Sequence, residues 1–273
     1  MSLYVEKFPP DTNQAATNNK QNLVLIHGWG MHGGVWQPII KKLEPHFNLH
    51  IVDLPGMGFS PPVEPSHLQA VAEKVAERLP ANADICGWSL GGLVAMSIAL
   101  LQPDMVRRLV LVSSTPRFVN AENWQEGIDR RVFSQFADEV SHDYQATLLK
   151  FLTLQCMRAQ DARATIKQLR ASFEQRPVPT MSALQKALNI LLDNDLRPEV
   201  ENIRRPTLLI HGDKDTLAPV QAAQWMAQHL PFGRLRVIAG ASHAPFLSHA
   251  EQFVDALVQF LEPAPRSNSI SRQ

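Results

Sequence analysis

Short apolar runs rich in branched side chains recur along the first third of the chain, and each gives way to a stretch whose apolar residues fall at helical spacing. The runs cover residues 23–28 (LVLIHG), 49–54 (LHIVDL), 83–87 (ADICG) and 108–114 (RLVLVSS), and the helix candidates lie at about 35–43, 68–79 and 90–101. Continuous apolar strands, rather than alternating ones, predict burial on both faces. Strands of that kind interleaved with helices predict a mostly parallel central sheet flanked by helices.

The pattern changes at about residue 116. From there to 200 the β-type runs vanish, and several amphipathic helices are expected, broken by RPVPT at 176–180. The alternation then resumes with a strand at 206–212 (PTLLIHG), a helix near 220–230, a strand at 235–240 (LRVIAG) and a last helix over about 251–260. This predicts a core of residues 1–115 and 201–264, a helical cap (lid) inserted at 116–200, and a polar, proline-containing flexible tail at 265–273.

Composition narrows the picture by exclusion. Hydrophobic residues make up 45% and charged residues 19%, too apolar a chain for wholesale disorder. Lysine plus arginine and aspartate plus glutamate number 26 each, so the formal net charge is zero, which argues against nucleic acid as a partner for the whole chain. Two widely separated cysteines, Cys86 and Cys156, give neither a zinc-site spacing nor a disulfide framework. The first 20 residues carry acids, prolines and amides where a signal peptide would have a basic start and an apolar stretch. No run approaches the roughly 20 apolar residues that cross a bilayer. A cytoplasmic monomer without membrane contact is expected.

Gly87-Trp88-Ser89-Leu90-Gly91 follows an expected strand and opens an expected helix, the setting of a G-x-S-x-G nucleophile elbow. Ser89 is then the candidate nucleophile, and the amide of Leu90, at a helix N-terminus, a candidate oxyanion donor. A serine hydroxyl is a weak nucleophile near neutral pH and needs a base that is itself oriented by a third group. His243, in the loop after the last strand, is the candidate base. Asp215, beyond the strand TLLI, is the candidate acid, in the order serine, acid, histidine. Asp213 competes with it, and either aspartate could serve only as a turn cap.

The second oxyanion donor is expected from His27-Gly28-Trp29-Gly30, with the amide of Trp29 as candidate and its indole as a wall of the acyl pocket. The simpler alternative is a buried tryptophan beside a plain turn. Residues 53–58 (DLPGMG) look superficially like a phosphate loop but lack its helix and lysine, so a turn is expected.

Over nearly its whole length the chain resembles the α/β-hydrolase superfamily, through HGWG, DLPGMGFS, GWSLGG, HGDKD and GASHAPF. More narrowly it is similar to the carboxylesterases that hydrolyse the methyl ester of pimeloyl-acyl carrier protein in biotin synthesis. The narrower likeness is carried by residues 25–30 (LIHGWG), 52–56 (VDLPG), 87–95 (GWSLGGLVA), 151–155 (FLTLQ) and 242–246 (SHAPF). The resemblance implies an acyl-enzyme mechanism needing neither metal nor organic cofactor. It also implies that Trp29, Ser89, Leu90 and His243 border the reacting ester and that Phe151, Leu152, Thr153, Leu154 and Gln155 contact the substrate chain. An amphipathic helix packed on the core would explain that last segment equally well.

Half of the expected cap is basic: Lys150, Arg158, Arg163, Lys167, Arg170, Arg176 and Lys186 stand against Asp161 and Glu174. Arg163, Lys167 and Arg170 fall on one helical face. Such a face is commonly just solvated. If the substrate is carrier-bound, it would steer an acidic acyl carrier protein, with Lys150, Arg158, Arg163, Lys167 and Arg170 as the candidate contacts. Ala146 and Ala159 stand where the resemblance leads one to expect arginines, a departure from the family's basic cap. A general short-chain carboxylesterase or a carbon–carbon bond hydrolase remains the alternative. A dehalogenase would need a carboxylate at the elbow, and a non-catalytic receptor or interaction module would not need an intact triad.

Overall fold

Runs of apolar residues buried on both faces make the central strands of the sheet. A computed structural model describes residues 2–8, 20–142, 147, 150, 153, 156 and 162–262. Among them, β1 (Val5–Phe8), β2 (Gln21–Ile26), β3 (Phe47–Val52), β4 (Ala83–Trp88), β5 (Val106–Val112), β6 (Thr207–Gly212) and β7 (Gly233–Ile238) form one seven-stranded sheet in the order β1-β3-β2-β4-β5-β6-β7. All neighbours are parallel except β1, which runs antiparallel to β3. Every residue of β4 and β6 is buried.

The edge strand β1 is the element the hydrophobic pattern did not announce. Its sequence VEKF is half exposed and carries two charges, as edges that must avoid pairing with other chains commonly do, so it offers no apolar run to read. Other elements differ by small shifts, β2 and β7 among them, each beginning two residues early. β3 and β5 each begin two residues before the expected start, and residues 33–36 form a 3-10 turn rather than the first turn of a helix. His32 caps that turn, its ring nitrogen accepting from the Gly34 amide.

The helices are α1 (Gln37–Leu43), α2 (Leu68–Ala76), α3 (Leu90–Leu101), α4 (Arg130–His142), α5 (Ala162–Phe173), α6 (Met181–Asp193), α7 (Val220–His229), α8 (Pro245–Ser248) and α9 (Ala250–Leu261). α3 is apolar almost all round, because it is enclosed between the sheet, α2 and α6. An aromatic cluster, Trp36, Trp88, Phe246 and Phe253, joins α8 and α9 to the rest of the core.

Between β5 and β6 the described chain contains helices, turns and two isolated β-bridges, Val119–Ile128 and Ala121–Trp124. Pro177 and Pro179 separate α5 from α6, and Thr180 then caps α6 by accepting from the Ala183 amide. α4 and α6 pack together, α6 also touches α3, and α5 packs on α8 and on the 3-10 turn at 33–36.

Candidate active site

The strand order reverses around β2, since β3 lies on one side of it and β4 on the other. In open parallel sheets, ligands bind at the carboxyl ends of strands beside such a switch point. Four segments meet there: residues 27–30 after β2, Ser89 after β4, Asp215 after β6 and His243 after β7.

Ser89 occupies the N-cap of α3, yet it does not cap the helix. A serine in this position normally has extended backbone and gives its oxygen to a first-turn amide. Here φ is 54° and ψ is −115°, and the side chain makes no cap hydrogen bond. That conformation costs about 1–3 kcal/mol and must be held by its surroundings. The Ser89 amide donates to the Val112 carbonyl at 2.9 Å, and the Ser89 carbonyl accepts from the Ser114 hydroxyl at 2.9 Å. The two flanking glycines have steric causes. A Cβ at Gly87 would lie 2.2 Å from the Gly91 carbonyl oxygen, and one at Gly91 would lie 2.3 Å from that of Ile26.

His243 and Asp215 are both buried, and Nδ1 of the ring lies 2.9 Å and 3.1 Å from the two carboxylate oxygens. Burial alone would push the Asp215 carboxyl up. The adjoining His243 ring, with its hydrogen bond, and the amides of Ala218 and Leu217 outweigh this and hold the carboxyl below its ordinary value. An ionised carboxylate only accepts, so His243 Nδ1 carries a proton, which makes Nε2 the nitrogen that can accept. That Nε2 is buried and has no hydrogen-bond partner among the described residues. The loop is fixed by Trp88, whose indole N–H donates to the His243 carbonyl at 2.8 Å.

Asp213 does other work. It accepts from the Gly240 amide at 2.6 Å and pairs with Lys214 at 3.0 Å, which anchors the turn without reaching His243.

The loop after β2 is held by His27. Its Nε2 accepts from the Leu54 amide at 2.9 Å, so the proton sits on Nδ1 and is donated to the Gly28 carbonyl at 2.8 Å. Burial lowers the pKa of this ring to about 4 and keeps it neutral, as that bonding requires. Trp29 is buried, and its indole N–H donates to the Leu184 carbonyl of α6 at 2.9 Å. Leu90 is the first residue of α3, where a backbone N–H has no acceptor within the helix.

Two chambers flank α6. One is lined by Trp29, Ser89, Phe118, Leu188, Leu217 and His243, among others. The other, largely apolar, is lined by Leu54, Met57, Leu90, Val94, Ala187 and Ile190, with Lys186 also in its lining. The pocket wall from Phe118, Leu188 and Leu217 was not anticipated. Its residues lie far apart in sequence, and nothing local marks them.

Of the residues expected along the acyl channel, Thr153 is exposed, while Phe151, Leu152, Leu154 and Gln155 lie outside the described residues. So do Arg158, Ala146 and Ala159. Arg163, Lys167 and Arg170 are exposed along α5. Several cap cations are already engaged: Arg170 pairs with Glu174 at 3.4 Å, Lys150 pairs with Glu139 at 2.7 Å, and Lys186 pairs with Glu64. Arg176 is no surface charge at all. It is buried against the fully buried Asp53 at 2.7 Å, bonds Glu6 as well, and lies over the rings of Tyr4 and Phe59. The turn at 53–58 thus carries a buried carboxylate that the sequence reading did not single out. Among the described residues there is no cluster of histidine, cysteine or acidic side chains fit to hold a metal ion, and no helix long and apolar enough to cross a membrane.

Residues 21–250 match the family model described as the alpha/beta hydrolase fold. The pimeloyl-[acyl-carrier protein] methyl ester esterase of Nitrosomonas europaea is 44% identical over 87% of this chain and 94% of its own. The enzyme of the same name from Nitrosospira multiformis is 40% identical over 95% of this chain and 98% of its own. Among solved structures, an esterase from Exiguobacterium antarcticum superposes with a TM-score of 0.83 at 22% identity, over 94% of each chain. An enol-lactonase from Burkholderia xenovorans does so at 0.79 and 22%, over 95% of this chain and 96% of its own. At those identities the structural likeness speaks for the fold alone.

Proposed function

The chain belongs to the alpha/beta hydrolase family, and from that premise we propose that it is a serine carboxylesterase acting on the methyl ester of pimeloyl-acyl carrier protein. The observation that carries the catalytic part is the buried Nε2 of His243, without a hydrogen-bond partner among the described residues, which shares a chamber with Ser89 while Asp215 holds the opposite nitrogen. The substrate part is supported by the names and near-complete coverage of the curated relatives.

In this reading His243 Nε2 takes the proton of Ser89 as its oxygen attacks the ester carbonyl. Asp215 stabilises the imidazolium that forms. The amides of Trp29 and Leu90 receive the developing oxyanion, and each such donor is worth about 10²–10³ in rate. Methanol leaves with the proton from His243. Water activated by the same nitrogen then releases the free acid and restores Ser89. The strained elbow serves this sequence by keeping the hydroxyl out of the helix cap.

Residues 116–200 act in this proposal as a cap over a core of 1–115 and 201–264, and the working unit is a cytoplasmic monomer. The exposed face of Arg163, Lys167 and Arg170 would hold the acidic carrier. One observation favours a second reading, a general short-chain carboxylesterase: Lys150, Arg176 and Lys186 are already paired with acids, which thins the basic face. Hydrolysis of pimeloyl-carrier methyl ester beside a short p-nitrophenyl ester, in wild type and Ser89→Ala, decides between them. Preference for the carrier ester with loss of both activities in the variant is expected, whereas turnover of the short ester alone would favour the second reading.

A further inference from the structure

The loop that carries Trp29 is gripped from two sides, and the outer grip comes entirely from the segment between β5 and β6. On the core side, His27 accepts from Leu54, and Gly28 packs close to the ring of Trp88. On the outer side there are three tethers from three adjoining pieces of chain. The Trp29 indole N–H donates to the Leu184 carbonyl of α6. His32 accepts from Gly34 at Nδ1, so its Nε2–H points outward and donates to the Phe173 carbonyl at the end of α5, at 3.3 Å. Between those helices Arg176 reaches Asp53, whose Oδ1 also accepts from the Gly33 amide at 2.7 Å.

Asp53 is the pivot of this arrangement. Its second oxygen accepts from Phe59, and the residue after it, Leu54, supplies the amide that fixes His27. Asp53 and Leu54 therefore clamp both ends of the loop, at Gly33 and at His27. A fully buried carboxylate keeps such a position only while it is neutralised and hydrogen-bonded, and the neutralising charge is Arg176.

We propose that residues 173–184 set the oxyanion hole, with His32 and Arg176 as positioning residues that align the Trp29 amide while α5 and α6 are seated. This rests on the reading of Ser89 as nucleophile and the Trp29 amide as oxyanion donor. The sensitivity is physical: such donors act within about 2.7–3.1 Å of the oxyanion, and a displacement of about 1 Å can cost 10² in rate.

The test uses the full chain with His32→Ala, Arg176→Met and Arg176→Lys, assayed on a short p-nitrophenyl ester. Active sites are counted by titration with a fluorophosphonate, so that unfolded enzyme is excluded from the rate. Expected is a fall in kcat per titrated site of about 10- to 100-fold with KM changed less than about twofold. The inhibition constant of an acyl trifluoromethyl ketone, which needs the oxyanion hole to bind as its adduct, should rise by the same factor. Arg176→Lys, which keeps the charge against Asp53, should recover most of both. Rates per site and ketone affinity equal to wild type in His32→Ala and Arg176→Met would overturn the proposal, and His32→Ala alone decides it if Arg176→Met fails to fold. So would a change confined to KM. A wild type that the fluorophosphonate does not label at Ser89 would instead overturn the catalytic reading beneath it.

Discussion

Two helices of equal length, α3 and α5, divide the labour of this molecule. Ten of the 12 residues of α3 are buried, whereas in α5 only Thr165, Leu169 and Ser172 are. Burying Leu90, Leu93, Val94 and Ile98 contributes about 1.5–3 kcal/mol for each side chain, enough to offset the strain at Ser89. α5 has no such reserve and keeps its place through one apolar edge and contacts with α8 and the turn at 33–36. The lesson is that geometry demanding a strained residue sits on the element with stability to spare. The element in contact with solvent is left to carry charge.

The sharpest way to break this comparison is at the elbow. Ser89→Ala should lower kcat by a factor of about 10⁴ or more, and Asp215→Asn, which would favour the wrong tautomer of His243, by about 10⁴. Each measurement is a kcat on a short ester, and a loss of less than tenfold in either would refute the assigned role. The contrast in packing is tested by matched alanines. Gly91→Ala places a Cβ 2.3 Å from a backbone carbonyl, so a loss of several kcal/mol, or no folded protein, is expected from urea unfolding. Gln168→Ala on exposed α5 should stay within about 0.5 kcal/mol.

The same contrast explains what the sequence discloses. β2, β4, β6 and α3 were legible because burial leaves a continuous apolar signal, and the candidates Ser89 and Asp215 stood out because each follows such a strand, whereas His243 follows the largely exposed edge strand β7 and stood out by its place in the loop after the last strand. β1 was not, since a half-exposed edge with Glu6 and Lys7 reads like any polar segment. Arg176 was misread as part of a basic surface. A cation's charge says nothing of its direction, and only the fold brings Asp53 and Glu6, 123 and 170 positions away, to meet it. His32 and Asp53 escaped notice for the same reason, as the partners of His32 are a backbone amide and a carbonyl, and those of Asp53 are two backbone amides and the distant Arg176.

A smaller effect separates the regions by pH. Burial lowers the pKa of both His27 and His211 to about 4, so the folded chain holds them neutral while the unfolded chain takes up protons near pH 6.5. Their contribution is therefore complete above about pH 6.5 and is lost as pH falls toward 4, at up to about 1.4 kcal/mol per pH unit for each ring. Asp84 works in the opposite direction, because burial raises its pKa to about 6 and protonation then favours the folded chain. The two histidines outnumber it, so net stability should fall with acid. Urea midpoints at pH 7 and pH 5 should converge in His27→Gln, which keeps both hydrogen bonds but cannot titrate. An unchanged pH slope in that variant would show that His27 is not a source of the acid sensitivity.

The smallest change expected is also the one that tests what α5 is for. Arg163 and Lys167 are exposed, and no ion pair holds either of them among the described residues. Arg163→Glu with Lys167→Glu should leave stability within about 0.5 kcal/mol and short-ester turnover unchanged, since neither side chain supports the core. If the face receives an acidic carrier, kcat/KM for the carrier ester should drop about tenfold at low ionic strength. The gap should then close as salt rises, because charges exposed to water are screened over about 10 Å at 0.1 M. The salt dependence matters more than the drop itself. Damage to α5 would lower the carrier rate at every ionic strength, whereas lost attraction lowers it only where attraction was felt. Equal rates for wild type and variant at low salt would make the α5 cations a solvated surface and leave the substrate preference to the chambers beside α6.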